Sequence, residues 1–217
     1  MGYQPGPAAR PTSGKLSGNV QLIDVGGGAV ASLNRFLQEM GIVCKQVTDG
    51  GDLQGGTPII VSGVGTFAKV MQAVKDYYFH DKLIEIIKTG TPYLGIAVGM
   101  QILFEQSEES PGIPGLGLLN GQVVRFKKGT CQIGSNRIAP TPQFQLVYPK
   151  EEFVYFCNSY FAKPEQQEII SFNGNYQERF CAAIKFKNVT GFQFQPEQSK
   201  DAGVRLMTTW LKEALGQ

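Results

Sequence analysis

Histidine is nearly absent from this sequence, and its scarcity limits the chemistry open to the chain. The 217 residues include one histidine, His80, and four cysteines, at positions 44, 131, 157 and 181. No two cysteines have Cys-x-x-Cys spacing, and a single histidine cannot complete a Cys/His zinc site. The sequence therefore predicts no metal and no cofactor. We expect the cysteines to be reduced, small apolar residues of a cytoplasmic protein.

Long apolar runs and a strong charge imbalance are also missing. No apolar stretch approaches the roughly 18 residues that a membrane-spanning helix needs. The 20 basic and 18 acidic residues give a net charge of +2, which offers no argument for nucleic acid or an anionic membrane as a partner. Residues 1–17 are rich in Gly, Pro, Ala and Ser and lack the apolar core of a secretory signal. We predict a disordered extension over 1–17 and one domain over 18–217.

Strand and helix patterns alternate through the first half of the chain. Strand-like apolar runs cover 20–24, 42–47, 58–61 and the residues from 93, and helical spacing covers 29–40, 67–78 and 83–88. This alternation is typical of a parallel sheet covered by helices on both faces, with ligands bound beyond the carboxyl ends of its strands. Glycine-bearing turns at 26–28, 63–65 and 95–99 should meet at that edge. The first of them lacks the full G-x-G-x-x-G of a nucleotide loop and favours a simple tight turn.

The second half contains short stretches rich in Phe, Tyr, Val and Gln. Predicted strands cover 122–126, 153–157, 168–172, 182–186 and 191–194, and an amphipathic helix covers 202–215. We expect these strands to extend the first sheet in antiparallel or mixed fashion. The predicted fold class is α/β with three layers: a central, mostly parallel sheet, helices on both faces and added antiparallel strands.

The stretch from Tyr93 to Leu103 predicts a strand, a tight turn and a helix, with Ala97 at the turn. An elbow of this kind exposes one side chain over a helix N-terminus, which favours a thiolate or an oxyanion. The side chain at this turn is a methyl group. Gly63 and Gly65 should end the neighbouring strand, where glycines allow backbone N–H groups to face a reacting carbonyl.

A second segment carries polar residues at the spacing of a catalytic pair. Gln195 and Glu197 flank a proline and lie two positions apart, so in an extended segment they point the same way. A base at the first position and an orienting carboxylate at the second would complete a nucleophile–base–carboxylate triad. An amide is not a usable base near neutral pH, so Gln195 cannot fill that role.

Both segments resemble motifs of the class I (triad-type) glutamine amidotransferases. Residues 94–101, Leu-Gly-Ile-Ala-Val-Gly-Met-Gln, resemble the family's G-I-C-x-G-M-Q elbow. Residues 192–199, Phe-Gln-Phe-Gln-Pro-Glu-Gln-Ser, resemble its Q-F-H-P-E-x-S segment. Within the family the resemblance is strongest to the glutaminase subunit of imidazole glycerol phosphate synthase, from histidine biosynthesis. Further matching pieces occur in the family's order from Val20 to the C-terminus, which implies the class I glutaminase fold.

The resemblance also implies roles for individual residues. The family hydrolyses glutamine with a Cys–His–Glu triad and passes ammonia to a (β/α)₈-barrel cyclase subunit. Its nucleophile, base and carboxylate positions fall on Ala97, Gln195 and Glu197. The implied oxyanion and substrate-pocket residues are Gly63, Val64, Gly65, Gly95, Val98, Gln101, Asn158, Ser159 and Tyr160, with Ser110 as a further candidate.

The chain departs from the family pattern at its catalytic positions. Ala97 has no heteroatom, and Gln195 stands at the place of the base. Asn158 replaces a His before Ser-Tyr, Gln132 lies in a segment resembling H-x-G-W-N-R, and Ser62 stands where Pro is common. No histidine is placed to activate Ser62 as a substitute nucleophile. Because losing one nucleophile costs about 10⁶ in rate in a well-studied hydrolase, the sequence predicts a degenerate glutaminase subunit that binds or supports a barrel-type synthase subunit.

Two alternatives remain open at the level of sequence. In the first, Ala97 is an engineered replacement in a working amidotransferase subunit, which leaves Gln195 and Asn158 unexplained. In the second, the pocket lined by these three residues binds glutamine or a similar amino acid without turning it over. The natural gene at position 97 tests the first alternative, and a thermal shift with glutamine tests the second.

Overall fold

The computed structural model describes residues 16–25, 29–63, 65–127 and 130–217. Its strands are β1 Gly18–Asp24, β2 Ile42–Val47, β3 Ile59–Gly63, β4 Tyr93–Ala97, β5 Gln106–Ser107, β6 Gly121–Arg125, β7 Gln132–Pro140, β8 Glu152–Asn158, β9 Tyr160–Pro164, β10 Ile170–Tyr176, β11 Glu178–Phe186 and β12 Val189–Phe192. Its helices are α1 Ala29–Glu39, α2 Phe67–Asp76, α3 Phe79–Lys88, α4 Val98–Gln101 and α5 Lys200–Leu215.

A nine-stranded sheet forms the centre of the molecule. Its order is β2-β1-β3-β4-β12-β11-β10-β7-β8. The pairs from β2 to β12 are parallel, and those from β12 to β8 are antiparallel. The predicted α/β class is confirmed, and the parallel half combines the four strands that alternate with helices in the first half of the chain with β12 from the second half.

Alternate residues of the parallel strands send their side chains to opposite faces of this sheet. Ile59 and Val61 of β3 pack in the cluster that holds the buried residues of α2 and α3. Ile60, between them, packs in the second cluster with the buried residues of α1 and α5. Two helical layers therefore sandwich the sheet, and strands buried on both faces explain the continuous apolar runs in the sequence.

The boundary between α2 and α3 differs from the predicted one. Thr66 caps α2 by accepting from the Lys69 amide, and the helix ends at Asp76. Tyr78 then takes a left-handed conformation, with φ of 58°, which breaks the helical path. The third helix starts at once with Phe79, four residues before its predicted start, because the buried Phe79 ring packs into the core.

The added strands are arranged differently from the prediction. The predicted strand 122–126 does not join the central sheet: β6 pairs with β9 and β5 in a separate three-stranded sheet. The chain leaves the central sheet at Ser159, so β8 pairs with β7 while β9 turns away to β6. Both β7 and β9 were not predicted. The innermost added strand, β12, pairs in parallel with β4 and so belongs to the parallel half.

Several expectations concern residues at the edge of the described chain. Of the extension predicted over 1–17, only Leu16 and Ser17 are described, and Leu16 is buried in the core beside α1 and α5. The turn at 26–28 and Val64 lie outside the described residues. Within the described ranges, no helix has the length and apolarity to cross a membrane.

The four cysteines are free, as expected, but they differ in exposure. Cys181 is buried and Cys44 partly so, but Cys131 and Cys157 are exposed. Burial raises the pKa of Cys44 to about 11. The exposed pair lies on the β7–β8 region that sequence patterns did not delineate.

Candidate active site

The elbow predicted at Ala97 is present. Ala97 ends β4 with φ of 53° and ψ of −112°, and α4 starts at the next residue. An L-residue with positive φ in this region stores about 1–3 kcal/mol of strain. The helix is a single turn, shorter than the sequence suggests, although hydrogen-bonded turns continue to Phe104. The geometry is that of a nucleophile elbow, and a methyl group occupies its apex.

Two glycines allow the strand and the helical turn to approach this closely. A Cβ added at Gly95 would lie 2.3 Å from the Gly99 carbonyl oxygen. A Cβ added at Gly99 would lie 2.0 Å from the carbonyl oxygen of Val61 on the neighbouring strand. Both distances are shorter than any real contact, so no side chain fits at either position. The elbow is thus fixed by backbone packing and does not depend on the chemistry of residue 97.

The strand beside the elbow ends in the predicted oxyanion glycines. Gly63 pairs with Ala97 in the β3–β4 register. Gly65 follows with φ of +147°, exposed, and no atom lies within 4 Å of a Cβ built there. The amide of Val98, first residue of α4, is among the helix N–H groups that lack an intrahelical partner. These positions are compatible with an oxyanion site next to Ala97.

The segment after β12 lies next to the elbow because β12 pairs with β4, with Phe192 opposite Ile96. Its backbone is then fastened to β8. The Gln195 amide donates to the Tyr155 carbonyl at 2.9 Å. The Ser199 hydroxyl accepts from the Tyr155 amide at 2.9 Å and donates to the Gln195 carbonyl at 2.6 Å. These bonds fix the main chain of Gln195. Ser199 positions this segment, a role that the sequence motif alone did not indicate.

Glu197 stands at the predicted carboxylate position, and the predicted base position beside it holds the amide of Gln195. Glu197 lies in a short 3₁₀ turn, Pro196–Gln198, after Gln195. Its Oε2 atom is buried and has no hydrogen-bond partner among the described residues. Burial raises the pKa of the Glu197 carboxyl above its ordinary value. A desolvated carboxylate with one bare oxygen is a cost to folding.

Three buried amide side chains form what we call the amide cluster: Gln101, Asn158 and Gln193. The Gln101 Nε2 atom donates to the Tyr160 carbonyl at 3.1 Å and to Gln193 Oε1 at 3.0 Å. Asn158 Nδ2 donates to the same Tyr160 carbonyl at 2.9 Å. The predicted pocket residues Gln101, Asn158 and Tyr160 are thus brought together. Sequence reasoning did not assign Gln193 a role, and its position two residues before Gln195 was the only signal.

The amide cluster has hydrogen-bonding capacity left over. Asn158 Oδ1 and Gln193 Nε2 are buried without a partner among the described residues. Gln132 lies opposite Asn158 in the β7–β8 register, is 2% exposed, and has neither side-chain polar atom paired. Buried polar atoms are normally satisfied by protein or by ordered water. Several buried donors and acceptors of this region therefore have no partner among the described residues.

Other predicted pocket residues have structural partners. The Ser110 hydroxyl accepts from the Ala68 amide, and the neighbouring Glu109 carboxylate accepts from the Phe67 amide at 2.7 Å, so both cap α2. The Ser159 carbonyl accepts from Phe126. The Tyr160 ring lies under the Arg125 guanidinium, 5.9 Å from its centre.

Two clefts lie away from the elbow. One, of about 770 Å³, is bounded by α1, α5 and residues 147–152. The other, of about 880 Å³, lies over β6, β9 and β11. Neither is lined by Ala97, Gln195 or Glu197. Among the residues that the structure describes, no three His, Cys, Asp or Glu side chains group as metal ligands.

Comparison with known proteins agrees with this geometry. The family model "Glutamine amidotransferase class-I" matches residues 21–213. Imidazole glycerol phosphate synthase subunit HisH of Desulfitobacterium hafniense is 36% identical over 201 residues, covering 89% of this chain and 95% of that protein. The HisH subunit of Deinococcus radiodurans is 33% identical over 201 residues, covering 89% of this chain and 93% of that protein.

The fold has the same relatives. A crystal structure of a glutamine amidotransferase superposes with a TM-score of 0.71 at 19% identity, covering 91% of this chain and 100% of that one. At that identity the likeness concerns the fold alone. The match to the family model spans most of the chain and includes the elbow and the Gln195 segment. The chain belongs to the class I glutamine amidotransferase family.

Proposed function

We propose that this chain is a HisH-type subunit that does not hydrolyse glutamine and acts as a binding or structural partner of a barrel-type synthase subunit. One observation carries the proposal: a strained elbow whose apex is a methyl group. The backbone conformation that would present a nucleophile is maintained at Ala97. No sulfur or oxygen is present on that side chain to attack an amide carbon.

The rest of the triad supports the same conclusion. Gln195 offers an amide, which cannot take a proton from a nucleophile near neutral pH. Glu197 retains its carboxylate, but one oxygen has no partner. Triad residues act as a unit, and loss of the nucleophile alone costs about 10⁶ in rate in a well-studied hydrolase. Loss of nucleophile and base together leaves no route to a thioester.

The partner is inferred from the relatives. They are named subunits of imidazole glycerol phosphate synthase, and this chain covers 95% of the length of the Desulfitobacterium hafniense subunit. We infer that it pairs with a (β/α)₈-barrel cyclase-type subunit as a heterodimer in the cytoplasm. In such a pair the barrel would use free ammonia, or this chain would set its conformation.

The test is glutamate release from glutamine by the natural chain, Ala97→Cys, Gln195→His and the double variant. Each is assayed alone and with the barrel subunit of the same organism. We expect the natural chain and both single variants to stay at background. The double variant should gain turnover if the pocket and oxyanion site are intact. Thermal unfolding of every variant serves as the folding control.

Two results would count against the proposal. Glutamate release by the natural chain would reveal a nucleophile other than residue 97. Failure of the natural chain to co-purify with the barrel subunit, while the double variant does so, would show that partnership requires the active triad. If the double variant releases no glutamate, residues other than 97 and 195 also prevent hydrolysis, and docking to the barrel subunit is the role that the chain retains.

A second candidate function, binding an amino acid without hydrolysis, is favoured by the spare capacity of the amide cluster. Asn158 Oδ1 could accept from a bound amide or ammonium N–H, and Gln193 Nε2 could donate to a bound amide or carboxylate oxygen. Glutamine at 100 times its dissociation constant would add about 2.7 kcal/mol to stability. A thermal shift that is lost in Asn158→Ala would support binding. No shift at millimolar glutamine would argue against it.

A further inference from the structure

Two exposed cysteines lie side by side where β7 begins and β8 ends. The register pairs Gln132 with Asn158 and Ile133 with Cys157. Cys131 precedes the first residue of β7, diagonal to Cys157. Side chains alternate across a strand pair, so the buried Gln132 and Asn158 point inward while Cys131, Ile133 and Cys157 point outward. The two thiols therefore share one exposed face.

The strand register makes the two cysteines diagonal neighbours on this face. The Cys131 thiol itself donates to the Gln132 carbonyl at 3.9 Å. Both residues are exposed, whereas Cys181 is buried and Cys44 is partly buried. Burial and the adjacent Cys131 raise the pKa of the Cys157 thiol. Among the four cysteines, these two combine adjacency in the strand register with access for a reagent in solution.

We propose that Cys131 and Cys157 form a reversible intramolecular disulfide. Diagonal neighbours in an antiparallel pair lie about 7–8 Å apart, slightly beyond the usual Cα separation of about 4.4–6.8 Å across a disulfide. Closure therefore needs a backbone shift of about 1 Å. Cys131 lies one residue outside β7, where no ladder hydrogen bond restrains it, so the shift falls at the end of the strand. Its carbonyl contact with the Tyr176 hydroxyl is the interaction that must adjust.

The oxidant is a small-molecule disulfide such as oxidised glutathione. One cysteine thiolate attacks a sulfur of the reagent, forms a mixed disulfide and releases one glutathione thiolate. The second cysteine thiolate then attacks the protein sulfur of that mixed disulfide and releases the other glutathione. The protein loses two hydrogens in total, and one glutathione disulfide becomes two glutathione thiols.

The disulfide would cross-link the ends of β7 and β8 next to the amide cluster. Cys131 immediately precedes Gln132, and Cys157 immediately precedes Asn158. Asn158 and Gln101 both donate to the Tyr160 carbonyl, two residues further on. A cross-link at 131–157 therefore tethers the strand ends that carry these side chains. The redox state of the pair would control how freely the ends of β7 and β8 separate beside Asn158.

The experiment treats the full chain with oxidised glutathione at mildly alkaline pH, where thiolates are populated. Non-reducing peptide mapping then identifies the product in the natural chain, Cys131→Ser, Cys157→Ser and Cys44→Ser. We expect a linked 131–157 peptide and a mass loss of two hydrogens in the natural chain and in Cys44→Ser. Dithiothreitol should reverse it. The two serine variants of the pair should give a glutathione adduct on the remaining thiol.

Separate glutathione adducts at both positions of the natural chain, or only disulfides between molecules, would overturn the proposal. Amide hydrogen exchange provides a second measurement. Exchange across 155–160 should slow at least several-fold on oxidation of the natural chain and remain unchanged in Cys131→Ser treated in the same way. A linked peptide without any change in exchange would refute the proposed control of strand-end separation.

Discussion

The elbow and the amide cluster lie at the same carboxyl edge of the sheet, but they are held in different ways. The elbow is defined by main-chain contacts: Gly95 and Gly99 let β4, α4 and β3 touch, and Ala97 accepts a positive φ. The amide cluster is defined by side chains, and several of its polar atoms have no partner among the described residues. One region is fully packed, and the other has unused bonding capacity.

Under the proposed function, this difference would allow a triad to be lost while its scaffold persists. The elbow is part of the core, so a change in its backbone is opposed by folding itself. The side chain at position 97 contributes only a partly buried methyl group to that core. The backbone geometry of such a turn is therefore maintained by packing, whereas activity depends on side-chain atoms that contribute little to stability.

The largest expected effect comes from breaking the packed region. Gly99→Ala would place a Cβ 2.0 Å from the Val61 carbonyl oxygen, so β3 and α4 must separate. Overpacking of this kind costs about 3 kcal/mol or slightly more, or a fall in Tm of about 6–12 °C in a chain of this size. Urea unfolding measures the change.

Gly55→Ala is the matched control, because its added Cβ would meet no atom closer than 3.9 Å. It should change stability by less than about 0.5 kcal/mol. If Gly99→Ala were as mild as this control, the elbow would be free to move. The contrast between the tightly packed elbow and the amide cluster would then be wrong.

A smaller effect with an unusual sign is expected at the apex. Ala97→Gly removes the strain of a positive φ, about 1–3 kcal/mol, and adds an entropy cost of about 0.5–1 kcal/mol. We expect a net gain of about 1 kcal/mol in the free energy of unfolding. The same substitution in the interior of α2, Ala73→Gly, should lose about 1 kcal/mol. Equal losses at both positions would mean that residue 97 stores no strain.

The sequence predicted the packed region well and the polar region poorly, for physical reasons. Strands β1 to β4 are buried on both faces, so their apolar runs are unmistakable. Strand β7 was missed because its inward face carries Gln132 and its sequence contains glycine and ends in proline, which weaken a strand pattern. Strand β9 was missed because a switch between sheets at Ser159 leaves no local signal.

The candidate site divides along the same line. The elbow, the glycines of β3 and the Gln195 segment follow from local motifs, and the structure places them together. The bond between Gln101 and Gln193 joins residues 92 positions apart. It depends on the register of β12 against β4, which no local pattern specifies. Likewise, the adjacency of Cys131 and Cys157 depends on the pairing of β7 with β8, and β7 was not predicted.

An effect of similar size is expected at Glu197, which has an unpaired buried oxygen like those of the amide cluster. Glu197→Gln replaces a buried carboxylate that has one unpaired oxygen with a neutral amide, and we expect a gain of about 1 kcal/mol at neutral pH. Because burial raises the folded-state pKa above the ordinary value of 4.5, the folded carboxyl holds its proton more tightly than the unfolded one. Its ionisation therefore destabilises the fold progressively as pH rises above 4.5 and levels off above the folded pKa.

The advantage of Glu197→Gln over the natural chain should accordingly vanish at acidic pH and grow towards neutrality. Urea unfolding at several pH values, compared with Glu165→Gln at an exposed site, measures this difference. A gain that is constant with pH would show that the amide helps by a new hydrogen bond. A loss of stability at neutral pH would show that the Glu197 carboxylate makes favourable interactions in the folded protein. The contrast between the packed elbow and polar atoms without partners would then fail at this residue.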